Sequence, residues 1–263
     1  MKSILITGAS GGMGRAAVQR FARDGFRVFA LDKTPCAAAE NIIPITADIT
    51  DENSVFAAVT TVRTQTDELY AIVHFAGIYM LDSLVEMPEE SFRRIVAVNL
   101  EGAYRINRLF LPLLKNGSRI LITTSELAPL DPLPFTGIYA VTKAALDKYA
   151  YSLRMELQLL GISVSVLRAG AVQTDMLGAS TAALDRFCTH TQLYSCNAER
   201  FKAIVNRVEA RNIPPERIAD KAARILAKKN PAFAYSINRN PLLLMLNLLP
   251  KCLQLFAIKL VLR

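Results

Sequence analysis

The stretch Ser3-Ile-Leu-Ile-Thr-Gly-Ala-Ser-Gly-Gly-Met-Gly-Arg15 decides the fold of this chain. Its apolar run, residues 4–6, predicts a strand that is buried on both faces. Four glycines follow within seven positions, and residues 15–22 then predict a helix with one apolar face. Glycine lets a backbone turn tightly and approach a ligand, and a helix N-terminus attracts an anion. The stretch therefore predicts a binding site for a phosphate-bearing ligand.

The glycine spacing, G-x-x-x-G-x-G, narrows the kind of phosphate site. A P-loop ends in Gly-Lys followed by Ser or Thr, whereas Arg15 and Ala16 follow Gly14 here. The strand before the turn and the helix after it favour the pyrophosphate of a dinucleotide, and a turn without a ligand is the alternative. The residues that we predict to contact the dinucleotide here are Gly8, Ser10, Gly11, Gly12, Met13 and Gly14.

The composition limits the class of protein. The 263 residues suit one α/β domain, and 52% of them are hydrophobic, which allows a large core. The four cysteines and two histidines form no zinc pattern, so we expect reduced thiols and no metal site. The charge of +8 comes without a nucleic-acid motif, so we expect no nucleic acid as a partner. An acidic membrane surface and anionic cofactors or substrates are the two alternatives that fit a basic surface. The first strand begins at once, without a charged and apolar leader, which predicts a cytoplasmic protein.

The second predicted strand, residues 26–32, ends in an acid. Asp32 follows the glycine turn at the distance at which a dinucleotide fold places a carboxylate on the ribose hydroxyls of adenosine. Such a carboxylate repels a 2′-phosphate, which favours NAD(H). The neighbouring Lys33 partly offsets that repulsion, so NADP(H) stays open, and a solvated strand-end acid is the alternative.

The rest of the chain alternates strands with helices, which predicts a doubly wound parallel sheet with helices on both faces. The remaining predicted strands cover residues 42–50, 69–75, 119–125, 162–168 and 232–237. The predicted helices cover residues 51–65, 88–115, 137–160, 175–211 and 215–228. On the third strand we expect Asp48, with Ile49, to reach the adenine, although Asp48 could instead cap the next helix.

Residues 241–263 differ from the α/β domain that we assign to residues 1–240. Pro250, Lys251 and Lys259 interrupt an apolar run that is otherwise long enough to cross a bilayer. We predict two short amphipathic helices that break near Pro250. They cover the substrate mouth, pack on another subunit or lie in a membrane interface, or they form a packed C-terminal pair without further function.

Tyr139 and Lys143 lie one turn apart on a predicted helix, so they share a face. A lysine ammonium stabilises a phenolate and lowers its pKa, which is ordinarily about 10. A tyrosine with such a neighbour exchanges a proton with an alcohol or a carbonyl, and a hydroxyl such as that of Ser125 polarises the same oxygen. A nicotinamide would then exchange the hydride.

In their order along residues 2–237, these motifs resemble the short-chain dehydrogenase/reductase family. The stretches that carry the resemblance are Thr7–Gly14 (T-G-x-x-x-G-x-G), Asn99 (the helix asparagine), Ser125, Tyr139 with Lys143 (Y-x-x-x-K), and Gly170–Thr174 (P-G-x-v-x-T). The apolar tail is similar to that of steroid and retinol dehydrogenases. The resemblance implies a single-domain Rossmann-type fold and an NAD(H)-preferring oxidoreductase.

The resemblance also implies roles for single residues. Tyr139 is the general acid and base, Lys143 lowers its pKa and holds the nicotinamide ribose, and Ser125 binds the substrate oxygen. Asn99 holds a water in a proton relay through Lys143. The remaining residues implied to touch the cofactor are Ala76, Gly77, Gly170, Val172 and Thr174, the last two at the carboxamide.

Two motifs depart from the family pattern. His74 and Phe75 replace the asparagines of N-N-A-G, and Ala169 replaces the proline before Gly170. Because Ala76 and Gly77 are retained, we expect cofactor binding to persist. We expect His74 to replace the asparagine hydrogen bonds that tie neighbouring strands together.

The substrate is suggested by the apolar character of residues 176–211, which form a lid in this family. The apolar residues expected at the substrate are Leu177, Leu184, Phe187, Leu193, Tyr194 and Phe201, with Leu130, Leu133 and Phe135. They favour a lipophilic alcohol or ketone of the hydroxysteroid or retinoid kind, and Arg186 and Arg200 suit an acidic lipid such as a bile acid.

Three further functions and one assembly remain as expectations. An NADP(H)-dependent ketoacyl or sugar carbonyl reductase and a catalytically silent nucleotide sensor share the same fold. A peripheral membrane protein would use the tail as its main functional part. Family members pair through the helices around Asn99 and Tyr139, which implies a homodimer or homotetramer.

Overall fold

A computed structural model gives the fold of the chain. It describes residues 1–209 and 211–263, and the side chains of these residues other than 175–177, 179, 180 and 207–209. Seven parallel strands form one sheet in the order β3-β2-β1-β4-β5-β6-β7. The strands are β1 Ser3–Thr7, β2 Arg27–Asp32, β3 Ile42–Thr46, β4 Leu69–His74, β5 Leu114–Ser125, β6 Ser163–Ala169 and β7 Ala234–Ile237. The doubly wound parallel sheet predicted from the sequence is confirmed.

The helices of the described residues pack on both faces and around the carboxyl edge of the sheet. They are α1 Gly12–Arg23, α2 Glu52–Arg63, α3 Glu89–Val96, α4 Gly102–Phe110, α5 Gly137–Leu157, α6 Asp175–His190, α7 Ser195–Glu209, α8 Pro215–Leu226, α9 Pro241–Leu248 and α10 Lys251–Leu262. The chain leaves β1 towards β2 and β3 and returns on the other side of β1 at β4. Ligands of doubly wound sheets bind at the carboxyl ends of the strands beside such a reversal.

The apolar run of β1 is uninterrupted because its side chains pack into two hydrophobic clusters, one on each face of the sheet. Leu5 packs into a cluster with Ile106 and Phe110 on one face of the sheet. Ile4 and Ile6 point to the opposite face, into a cluster that contains residues of α1 and α8. Because successive side chains of a strand alternate between faces, a central strand covered on both sides needs apolar residues throughout.

The helix predicted over residues 88–115 is interrupted and ends earlier. A π-helical turn, Ala97–Glu101, joins α3 to α4 and contains Asn99. A 3-10 turn over Leu111–Leu113 then ends the helix, and the next strand begins at residue 114. Pro112 has no N–H to donate, so the α-helix cannot continue through this turn. The prediction that residue 115 is helical was therefore wrong.

Residues 241–263 form the two helices α9 and α10, with Pro250 as the residue before the second. Leu262 of α10 packs into a third apolar cluster, which contains residues of α6 and α7. In the described part of the chain, none of the helices combines the length and hydropathy needed to cross a bilayer.

Candidate active site

The glycine-rich turn after β1 is held tightly against two other strand ends. Gly8 has a φ of 70°, and a Cβ there would lie 2.5 Å from the backbone nitrogen of Ala76, after β4. A Cβ on Gly14 would overlap the carbonyl oxygen of Gly8, and one on Gly12 would lie 2.6 Å from Thr174. Larger residues would therefore displace the turn, which brings the loops after β1, β4 and β6 together.

A cavity of about 1090 Å³ lies at the carboxyl ends of the first four strands. Thirteen of the residues predicted to bind a dinucleotide line it: Gly8, Ser10, Gly11, Gly12, Met13, Gly14, Asp32, Lys33, Asp48, Ile49, Ala76, Gly77 and Thr174. The glycine turn leaves room for a pyrophosphate beside the first turn of α1, where N–H groups and the helix dipole favour an anion. The residues present therefore fit a nicotinamide dinucleotide.

Asp32 faces the glycine turn from the end of β2. One carboxylate oxygen accepts a hydrogen bond from the Ser10 backbone at 3.0 Å, and the other accepts one from the Thr34 backbone at 3.0 Å. These bonds fix the carboxylate at the cavity wall while leaving further lone pairs for ligand hydroxyls. Its position fits the ribose-binding acid expected from the sequence.

Asp48 also lines the cavity, and its carboxylate is held by one neighbour. Hydrogen bonds from the side-chain hydroxyl (2.7 Å) and the backbone N–H (2.8 Å) of Thr50 lower the pKa of Asp48. The alternative role as a helix cap is wrong, because Asp51 caps α2 and accepts the N–H groups of Asn53 and Ser54. A role of Asp48 at the adenine stays a prediction.

Ser125, Tyr139 and Lys143 come together where β5 ends and α5 begins. The Ser125 hydroxyl faces the Tyr139 hydroxyl, and the Lys143 ammonium lies 5.7 Å from the centre of the tyrosine ring. Burial raises the pKa of Tyr139 to about 12, although the neighbouring Ser125 hydroxyl acts to lower this pKa. Burial also lowers the pKa of Lys143 to about 8. The expected lowering of the tyrosine pKa is therefore not found, because desolvation outweighs it in the protein alone.

Asn99 and Lys143 meet beside Gly77. The Asn99 side chain accepts the Ile78 N–H at 2.8 Å and donates to the Ile78 carbonyl and to Thr142, so it fixes the loop after β4. A Cβ on Gly77 would lie 3.3 Å from both Asn99 Oδ1 and Lys143 Nζ. The buried ammonium makes a long hydrogen bond, 3.4 Å, to the Thr123 carbonyl. It therefore suits further acceptors such as ribose hydroxyls, whereas the water relay at Asn99 stays a prediction.

Six predicted site residues do not border the cavity as it is described: Asn99, Ser125, Tyr139, Lys143, Gly170 and Val172. Tyr79, which the sequence analysis missed, lines the cavity and packs its ring 4.8 Å from that of Tyr139. Tyr79 thus forms the cavity wall next to the candidate proton donor. Its position two residues after Ala76-Gly77, at a strand end, could have indicated that Tyr79 lies near the cavity. No motif marks this residue.

His74 lies at the end of β4 and is almost completely buried. Its Nε2 atom is 2.9 Å from the Asn107 side-chain oxygen on α4, and Asn107 in turn donates to the Tyr149 hydroxyl. We expected the hydrogen bonds of His74 to join neighbouring strands. They instead join the sheet to α4 and α5. Burial lowers the pKa of His74 to about 4, so the imidazole is neutral near pH 7.

We expect the stability of the protein to fall on mild acidification because of His74. The unfolded chain binds a proton there below about pH 6.5, whereas the native state does so only near pH 4. Stability is thus complete above the unfolded pKa and is lost as the pH falls towards 4, by about 2 kcal/mol at pH 5. Thermal unfolding of wild type and His74→Asn between pH 7 and 5 measures this, and the variant should lose less stability.

The matched control for that experiment is His190→Asn, because His190 is exposed on α6. This control should keep the pH dependence of wild type. Equal slopes for wild type and His74→Asn would contradict the assignment of the titration to His74.

The lid residues pack differently from the expectation. Phe187 lines the cavity, but Leu184, Tyr194 and Phe201 pack with Phe135 in the third apolar cluster. Phe135 contacts three of these rings, with centroids 4.4–5.1 Å away. The predicted lid residues Met176 and Leu177 have side chains outside the described part. Most of the lid's apolar groups therefore stabilise the lid rather than face a substrate.

Only some of the polar residues that line the cavity were predicted from the sequence. Arg186, expected from the sequence, lines the cavity together with Arg94. Glu86 holds the lid, because its carboxylate accepts the hydroxyl of Thr191 and the N–H groups of Gln192 and Leu193. Leu193 itself is exposed.

Comparisons with known proteins agree with this geometry. Residues 2–185 match the model of the family described as short chain dehydrogenase. The chain is 32% identical over 190 residues to estradiol 17-beta-dehydrogenase 2 of Mus musculus, which covers 68% of this chain and 50% of the mouse protein. It is 30% identical over 192 residues to the NADPH-dependent 1-acyldihydroxyacetone phosphate reductase of Schizosaccharomyces pombe, covering 69% of this chain and 65% of the yeast protein.

Solved structures have the same fold. The 3-ketoacyl-(acyl-carrier-protein) reductase of Brucella melitensis, solved in complex with NADH, superposes with a TM-score of 0.74 at 24% identity over 90% of this chain and 96% of that one. The chain spans about half the length of the mouse relative and just under two thirds of the yeast relative. Because the family model matches most of the chain, this protein belongs to the short-chain dehydrogenase family.

Proposed function

We propose that the protein interconverts a secondary alcohol and a ketone on a lipophilic substrate, with NAD(H) preferred over NADP(H). The observation that carries the proposal is the placement of Ser125 beside Tyr139, with Lys143 one helical turn further on and a glycine-lined cavity next to them. Each part supplies one requirement of the reaction: a donor to the substrate oxygen, a proton, a positive charge and a place for a dinucleotide.

The proton step follows from the positions of the side chains. The hydroxyls of Ser125 and Tyr139 bind the same substrate oxygen, and Tyr139 gives it a proton in reduction or accepts one in oxidation. The Lys143 ammonium stabilises the phenolate that reduction leaves on Tyr139. A bound nicotinamide dinucleotide supplies or accepts the hydride. The backbone at Val172 and the hydroxyl of Thr174 would hold its carboxamide, as the family resemblance implies.

The substrate proposal is supported by the wall of the cavity next to Tyr139. Tyr79, Met80, Leu81 and Phe187 line it with aromatic and aliphatic surface. Such a wall suits a flat or extended apolar molecule, for example a hydroxysteroid, a bile acid or a retinoid. The mouse relative that is named for estradiol supports the same class.

A second candidate is the reduction of a keto group on an anionic lipid. Arg94 and Arg186 line the cavity, and among the described residues neither lies within ion-pair distance of a carboxylate. Guanidinium groups with free donors suit a carboxylate or a phosphate. The yeast relative, which is named as an NADPH-dependent reductase of 1-acyldihydroxyacetone phosphate, supports this chemistry.

The test is a turnover assay that follows the absorbance of the reduced nicotinamide. The panel contains hydroxysteroids, a bile acid, retinol, an acyl dihydroxyacetone phosphate, a ketoacyl thioester and small polar ketols, each with either dinucleotide. Turnover of the neutral or acidic steroids supports the proposal, and turnover of the phosphate or thioester alone selects the second candidate. Turnover of the polar ketols alone, or cofactor binding with no turnover, would rule out both.

The pH dependence of the reduction tests the role of Lys143. Because burial lowers its pKa to about 8, the ammonium is charged below that pH and is lost as the pH rises through it. We expect kcat for reduction to be level below pH 7 and to fall towards about tenfold per pH unit above pH 8. The control Lys148→Arg, an exposed residue on the same helix, should keep this profile, whereas a level profile to pH 10 would contradict the role.

We also propose that two copies pair through α4 and α5. Exposed apolar side chains mark this face, namely Tyr104 on α4 and Val141, Tyr151 and Met155 on α5. Contiguous apolar groups of this kind mark association surfaces. Sedimentation equilibrium of wild type and Met155→Asp tests the pairing, since the charge should produce monomers.

A further inference from the structure

The outer face of the two C-terminal helices exposes many apolar side chains. Nine large apolar side chains of α9, α10 and their junction are at least 40% exposed: Leu242, Met245, Leu248, Leu249, Leu253, Leu255, Phe256, Leu260 and Val261. Leu248, at the end of α9, is 84% exposed. The charged residues of 241–263 are Lys251, Lys259 and Arg263, with no Asp or Glu. The surface is therefore apolar and basic.

The inner face of these helices is attached to the body of the protein. Leu262 is buried, and its carbonyl accepts the Asn197 side chain at 2.7 Å. Asn247 accepts the backbone N–H of Asp131 at 2.7 Å, and Lys251 forms an ion pair with the Asp131 carboxylate. Because these bonds fix the orientation of the helices, the apolar residues on their other side remain outside.

The charge pattern distinguishes between the possible occupants of this face. A two-fold contact between copies joins a surface to itself, so both copies would bring Lys259 and Arg263 into the contact without an acid from the tail to compensate. An anionic bilayer instead accepts apolar side chains below the headgroups and attracts the cations beside them. We propose that the outer face of α9 and α10 docks on an anionic lipid surface.

The inner face of α10 shares an apolar cluster with the wall of the cavity. Leu81 and Phe187 line the cavity and pack in the same cluster as Leu262 of α10. Docking would hold this wall close to the bilayer, where lipophilic molecules dissolve. That consequence for substrate supply rests on the proposed function, whereas docking itself is measured without turnover.

The experiment is co-flotation of the full chain with vesicles. One set contains phosphatidylcholine only, and the other contains equal parts of phosphatidylcholine and phosphatidylglycerol. We expect wild type to float with the anionic vesicles and to remain below with the neutral ones. The double variant Leu248→Ser/Phe256→Ser should bind about tenfold or more weakly, and Lys259→Glu about tenfold more weakly.

Matched controls separate this face from other exposed groups. Phe56→Ser removes a side chain that is 63% exposed on α2, and Lys229→Glu reverses an exposed charge outside the tail. Both should float as wild type does, and all variants should keep their thermal unfolding midpoint because the replaced residues are exposed. Absence of flotation, or equal losses in the controls, would overturn the proposal. Dissociation of a dimer by Leu248→Ser/Phe256→Ser in sedimentation would also overturn it, in favour of a second copy on this face.

Discussion

Tyr139→Phe is expected to lower kcat by roughly 10³-fold while cofactor affinity stays within about twofold of wild type. The ring keeps its packing against Tyr79, 4.8 Å away, so only the hydroxyl is lost. That hydroxyl is the proposed proton donor, and Ser125 alone polarises the substrate oxygen without supplying a proton along the same path. Steady-state kinetics with the best substrate of the panel and a fluorescence titration of the reduced dinucleotide measure the two quantities.

The control for this variant is Tyr151→Phe, on the same helix and 51% exposed. It removes an identical hydroxyl at a position away from the cavity, and its kcat should equal that of wild type. A Tyr139→Phe enzyme with more than about a tenth of the wild-type kcat would contradict general acid–base catalysis by this residue. Loss of cofactor binding in the variant would instead assign Tyr139 to binding.

The alternation of strands and helices, the glycine turn and the candidate proton donors could be predicted because local rules determine each of them. A buried parallel strand needs an apolar run, a close approach of two backbones needs glycine, and residues four apart on a helix share a face. The cavity lined by Gly8, Asp32 and Gly77 follows from these rules alone. Such features depend on short stretches of sequence, so the sequence contains what is needed to predict them.

The features that were missed depend on contacts between distant stretches. Tyr79 meets Tyr139 because the loop after β4 folds over α5, and Asn99 fixes that loop from a π-helical turn. The rise of the Tyr139 pKa also depends on burial, which a spacing rule does not contain. Neither propensity nor periodicity reports which side chains meet across 60 residues, so these parts of the site needed the structure.

Asp32→Asn is expected to weaken the preference for NAD(H) over NADP(H). The Asp32 carboxylate lies at the cavity wall, held by the backbone of Ser10 and Thr34 at 3.0 Å, where the adenosine ribose would bind. Repulsion of a 2′-phosphate by a partly solvated carboxylate is worth about 2 kcal/mol, so the ratio of kcat/KM for the two dinucleotides should fall roughly 30-fold. The asparagine keeps one acceptor oxygen, so it retains one of these two backbone hydrogen bonds, and placing that oxygen towards Ser10 limits damage to the glycine turn.

The comparison with Asp48→Asn decides whether charge at one position or charge in general sets the preference. Both substitutions remove one negative charge from the cavity wall, but Asp48 lies at the end of the third strand, where Thr50 holds its carboxylate. If Asp32 acts on the 2′-phosphate directly, Asp48→Asn should change the ratio by less than about threefold, because screening weakens charge interactions steeply with distance. Equal changes in both variants would assign the preference to the overall field of the cavity, and a wild-type preference for NADP(H) would show that Lys33 dominates its neighbour.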